Sequence, residues 1–148
     1  MIANELAKVF ERDLNKLKDE LLLFKNEENL WIVKGDVKNS AGNLFLHLTG
    51  NMNHFIGAIL GNSGYVRERD SEFSSRNIPK EKILSNLENT IPVIVNTLNK
   101  LTDDSLKETF PVKKHDEVVT TGFMLLHLLT HFNYHLGQIN YLRRILEG

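Results

Sequence analysis

The chain has 148 residues, with 18 basic against 19 acidic side chains, six His, no Cys and 41% apolar residues. That is one domain's worth of chain, residues 1–148, long enough to bury a single sizeable core without staples. A formal charge of -1 argues against nucleic-acid and anionic-membrane partners, which call for a basic excess, and the missing Cys leaves His and carboxylates as the only side chains suited to hold a metal.

Met1 to Glu5 runs straight into alternating charges, without the basic start and apolar run of a secretory signal, so the cytoplasm is the expected compartment. From Ile2 to Phe24 the apolar positions Ile2, Leu6, Val9, Phe10, Leu14, Leu17, Leu21 and Phe24 recur at steps of three and four. This predicts an amphipathic first helix with one buried stripe. Asn26 to Gly35 breaks the pattern and reads as a connector plugged by Trp31. Ser40 suits an N-cap, and a second helix is predicted from Ala41 to about Leu60, closed by Gly61-Asn62-Ser63-Gly64.

Tyr65 to Ile78 is polar, Ser-rich and charged, the longest stretch read as irregular. Pro79 suits the first turn of a third helix with the stripe Ile83, Leu87, Ile91, Ile94, Leu98 and Leu101. Pro92 inside it predicts a bend or an interruption. Thr109 to Val119 reads as an extended segment or small hairpin, after which Thr120 or Thr121 caps a fourth helix reaching about Leu146. Four helices of some 20 residues, each about 30 Å long, predict an all-α protein built as a four-helix bundle.

The placement of charge says more than its total. No Asp, Glu, Lys or Arg occurs for 28 residues between Lys38 and Arg67, nor for 25 between Glu117 and Arg143, and five of the six His lie in these two gaps. Their many Asn, Thr, His and Gln side chains argue against membrane spans, since polar groups are expensive in lipid. Two interior helices fit better.

On the fourth helix His127, His131 and His135 stand at i, i+4 and i+8 on one face, and Gln138 returns to nearly the same angle. On the second, His47, Asn51 and His54 also share a face. Packed together, the two polar stripes meet in the interior. Two His one turn apart plus a third from a neighbouring helix supply three neutral imidazoles with an open position, the pattern of a reactive zinc-type site; imidazole suits Ni, Fe and Cu as well. His127 lies a turn too far from His135 for one ion to join both, so it reads as a neighbour of the site. His54 reads as a wall or packing residue and His115 as a solvated loop residue.

The run His131-Phe132-Asn133-Tyr134-His135-Leu136-Gly137-Gln138-Ile139, preceded by His127-Leu128, resembles the fourth-helix pattern of the DinB-like superfamily. Asn43 to Leu48, containing His47, is similar to that family's other marked stretch. Leu136 stands where relatives commonly carry Arg. The resemblance spans essentially the whole chain and implies a four-helix bundle, often a homodimer, in which His47, His131 and His135 bind one divalent metal, Zn or Ni foremost. Relatives include metal-dependent transferases of low-molecular-weight thiols such as mycothiol or bacillithiol, among them a maleylpyruvate isomerase; others are damage-induced proteins or assigned hydrolases. The implied chemistry is activation of a small thiol for attack on an electrophile held in an apolar cleft, which requires no Cys of the protein's own.

On that reading Asn51, His54, His127 and Gln138 surround the metal, and Tyr65, Arg67 and Arg69 are candidate substrate contacts, with a plain solvated loop as the other reading of the Arg pair. A hydrolase is the less favoured variant: no carboxylate lies within the two charge-free helices to act as base, although Glu68 or Asp70 could reach in from the loop. A non-enzymatic metal- or ligand-binding stress protein is the remaining alternative.

Overall fold

The computed structural model describes residues 1–148 and is all-helical, without strands. Helix α1 spans Ile2–Leu23, α2 Ala41–Met52, α3 Arg69–Ser74, α4 Lys80–Asn99 and α5 Thr121–Glu147. A short 3-10 turn, Glu27–Trp31, follows α1, and another, Ser105–Lys107, follows α4. No helix is long and apolar enough to cross a membrane.

Helices α1 and α2 both lie against α4 and α5, and α3 rests on α2. Ser40 caps α2 by accepting from the Asn43 backbone N–H, and Thr120 caps α5 by accepting from that of Phe123, each hydroxyl satisfying a donor that the first turn leaves without a partner. One cluster of 25 buried apolar residues gathers Phe10, Leu14, Leu17 and Leu21 of α1 with Phe45 and Leu48 of α2, Leu87 and Ile94 of α4, and Leu128, Phe132 and Ile139 of α5. Leu136, in place of the Arg of the resembled pattern, packs into this core.

Several expectations change. The stripe of α1 is rotated: Ile2 is exposed, while Ala3, Ala7 and Asp13 are buried. Asp13 is held inside because its Oδ2 accepts from Asn133 Nδ2 of α5 at 2.7 Å and its Oδ1 from Arg12 Nε at 2.8 Å. The stretch read as irregular contains α3. Pro79 stands one residue before α4 rather than in its first turn, and Pro92 does not interrupt that helix. Pro92 and Glu88 are both exposed, so the carbonyl that loses its intrahelical donor faces water. The predicted hairpin is reduced to two isolated antiparallel bridges, Thr109 with Thr120 and Lys114 with Glu117. Its turn is formed by His115 and Asp116, both at positive φ. Trp31 is half-buried at the end of its 3-10 turn, its ring lying across Gly42, where a Cβ would stand 2.9 Å from the indole.

Candidate metal centre

Beyond Met52 the second helix continues to Leu60 as a π-helix, Asn53–Leu60, matching the predicted length but not the predicted register. The wider turn advances the chain less per residue. His54, which an α-helix would keep on the His47 face, packs against the Phe55 ring at 4.7 Å, outside the group formed by the other histidines.

Helices α2 and α5 bring His47, His131 and His135 together. One ring nitrogen from each lies within 4.8 Å of the others, a group that can hold a metal ion. His47 Nε2 and His131 Nε2 are 3.2 Å apart. Two nitrogens at 2.0–2.1 Å from a tetrahedral ion are separated by about 3.3 Å, so this pair already has the spacing of one edge of such a site.

The outer ring nitrogens decide which lone pairs face inward. His47 Nδ1 lies 3.0 Å from Glu72 Oε1, and a protein carboxylate there accepts the Nδ1 proton and leaves Nε2 free. His135 Nδ1 likewise lies 2.7 Å from Gln138 Oε1. Such partners fix tautomer and ring orientation at metal-binding imidazoles. His131 Nδ1 is buried without a partner, and so is Asn51 Oδ1. His127 lies beside the group, its ring stacked at 6.3 Å from that of His131.

His131 and His135 are both held towards the neutral form. Burial, then the neighbouring His135, His47, His127 and Arg67, lower the His131 pKa to about 4. Burial also lowers that of His135, against the opposing Gln138 hydrogen bond. Burial, then Arg67, lowers His54, and burial, then Lys114 and His115, lowers His127. His131 and His135 therefore bind cations without first having to lose a proton near neutral pH, and with His47 beside them the three imidazoles fit a divalent metal.

Glu72 was not anticipated. Sequence reasoning looked to Glu68 or Asp70, both of which are exposed, whereas Glu72 is buried. Its placement starts at Asn43 of α2, whose buried amide Nδ2 donates to the Glu72 and Ser75 backbone carbonyls at 3.0 and 2.9 Å and so pins α3 against α2. The Glu72 side chain then crosses the backbone of Gly50, where any Cβ would overlap its carboxylate. Phe73, the one aromatic between Val66 and Ile78, stacks on His47 with ring centroids 4.8 Å apart; an aromatic in that polar stretch was the available hint that this turn packs inward.

Arg67 is directed at Glu72, with Nε donating to Oε2 and Nη2 to Oε1, each at 2.9 Å. Burial pushes the Glu72 carboxyl up, but hydrogen bonds from His47 and Arg67 and the Arg67 charge outweigh it and hold the pKa below the ordinary range. Arg69 stands over the Phe73 ring at 5.2 Å. Tyr65 lines a cavity of about 620 Å³ with Thr49, Asn53, Ser71, Asn86 and Thr90. None of the histidines lines that cavity, which Glu72 does line, and its walls mix these polar side chains with Leu46, Val66, Ile83 and Val93.

Fold and site define an all-helical protein with three converging imidazoles suited to a divalent metal. Within that class the chain belongs to the family described as Protein of unknown function (DUF1572), whose profile matches residues 3–148. No curated protein matches the chain.

Proposed function

We propose that this chain is a DinB-like four-helix bundle and a metal-dependent transferase that activates a low-molecular-weight thiol at a divalent ion held by His47, His131 and His135. The observation that carries the reading is the convergence of these three nitrogens on one point, with Glu72 and Gln138 behind two of the rings. A divalent ion there supplies Lewis acidity that lowers the pKa of a bound thiol.

The chain's own residues do the rest. Glu72 draws the Nδ1 proton of His47 and turns Nε2 to the centre, Gln138 does the same for His135, and Arg67 keeps Glu72 ionised. Both Glu72 oxygens are occupied by these partners, which supports thiol chemistry over hydrolysis, because a base must be free to take a proton from water.

Elemental analysis of the purified chain is expected to find about one Zn or Ni per chain, absent from His131→Ala. With metal added, transfer of small thiols to electrophiles is expected for the wild type and not for His131→Ala of matching helicity. Stoichiometric metal without turnover across a panel of thiols would leave the non-enzymatic alternative. No metal, and no gain in thermal stability from Zn or Ni, would sink both readings.

A further inference from the structure

Helix α4 departs from the usual make-up of an exposed helix. Between Lys82 and Lys100 its single charged residue is Glu88, and Asn86, Asn89 and Asn96 stand where Glu or Lys would favour both the helix and its contact with water. Asn86, Asn89, Thr90 and Val93 recur at steps that keep them on one face, and that face lines the cavity of about 620 Å³. Residues that break a local rule gather at functional sites.

The other walls are polar and largely uncharged as well. Thr49 and Asn53 of the second helix line the cavity, as do Ser63, Tyr65, Ser71 and Ser75 of the segment beyond it. No Lys, Arg or His lines it, and its two acids are Glu68 and Glu72, the latter with its oxygens taken by His47 and Arg67. Asn53 opens the π-helix, a rare turn found mostly at functional sites. Its Nδ2 donates to Thr90 Oγ1 at 2.8 Å and ties two walls together, whereas its Oδ1 and the amides of Asn86 and Asn89 are left to the cavity. A Cβ on Gly57 would lie 3.3 Å from Ser63 Oγ, 3.5 Å from Val93 Cγ1 and 3.7 Å from Asn53 Oδ1, so hydroxyl, methyl and amide groups meet there around a space that a side chain would fill.

We propose that this cavity is a binding site for a small uncharged polyhydroxylated molecule, of the chemical class of a sugar or sugar alcohol, separate from the metal centre. Each hydroxyl of such a ligand both donates and accepts, and Asn amides and Ser or Thr hydroxyls answer it in kind. Its C–H surface meets Val66, Val93 and the Tyr65 ring. Burial, then Glu72, pushes the Tyr65 pKa up, so its hydroxyl remains a donor. An anion would find carboxylates and no cation, and a flat aromatic ligand would find a single ring to stack on. The volume lies within the range of about 300–1,000 Å³ common to small-molecule sites.

No histidine takes part, so binding is expected in the metal-free chain. The full-length, isotope-labelled chain in chelator is titrated with glucose, ribose and sorbitol through the millimolar range, with glutamate, spermidine and cyclohexanol as charged and apolar controls. At least one of the three polyols is expected to shift the side-chain amide resonances of Asn53, Asn86 and Asn89 saturably, and none of the controls is. Asn86→Ala combined with Asn89→Ala is expected to weaken that binding by about 10-fold, each lost hydrogen bond accounting for about 2- to 10-fold. The melting temperature is expected to hold or rise, since Ala is the better helix former. Asn96→Ala, on the same helix but outside the cavity, is expected to bind as the wild type does. Four results would each overturn the proposal: no response to any polyol, binding undiminished in the double variant, shifts confined to residues outside the cavity, or a stronger response to a control. Because the titration contains no metal, a chain that fails to load Zn or Ni leaves its result untouched, and the two readings fail separately.

Discussion

Acidifying the metal-free chain tests directly how several imidazoles share one interior. Folded, His131 titrates near pH 4, because its burial and then its neighbours oppose a second charge; unfolded, it returns to about 6.5. Between those values the unfolded chain holds a proton that the folded chain does not. Stability is therefore present above the unfolded pKa and is lost as pH falls through the folded one. At about 1.4 kcal/mol per pH unit, the window from 6.5 to about 4 spans roughly 3.4 kcal/mol, and water around this half-buried ring screens it to about half of that. The lowered values of His54, His127 and His135 act in the same direction.

Urea denaturation in chelator, at about pH 7.5 and about pH 4.5, is expected to show the wild type losing about 1.5 kcal/mol more than His131→Asn, which removes this titration and leaves the surface carboxylates alike in both chains. Equal losses in the two chains, or a wild type that gains stability on acidification, would refute the placement of His131 as a half-buried neutral ring.

Glu72→Gln keeps the shape of the side chain but leaves Arg67 without a counter-charge and His47 with a weaker acceptor; metal competition titrations are expected to show affinity lower by about 10- to 100-fold, with exposed Glu68→Gln unchanged. Gly50→Ala places a methyl group where the Glu72 carboxylate lies and is expected to destabilise the chain by about 1–3 kcal/mol while weakening metal binding much as Glu72→Gln does, both readable from one titration and one melt. Asp13→Ala removes the hydrogen bond from the exposed Asn133 amide, which also donates to the Leu129 carbonyl, with an expected loss of about 0.5–1.5 kcal/mol in urea melts and no change in metal stoichiometry.

Helical periodicity and capping hydroxyls alone placed the four long helices, the Ser40 cap, the choice between Thr120 and Thr121 that Thr120 fills, and most of the core, because a 3.6-residue repeat and a capping hydroxyl are local properties of the chain. The charge-free gaps and the His-x-x-x-His step made His131 and His135 legible in the same way, since side chains four apart on one helix share a face wherever that helix packs. That His47 meets them depends on how α2 lies against α5, which the sequence supported only through resemblance. Tertiary structure decided the rest. The second helix turned π-helical from Asn53, Asn133 let Asp13 be buried in a helix read as polar at that position, and the Asn43 amide drew α3 inward to bring Glu72 across Gly50 to His47. In each case the deciding partner lies 29 or more residues away or in a backbone register that propensity does not encode. Which acid reaches an interior histidine is settled only when the loop that carries it is pinned by a distant side chain.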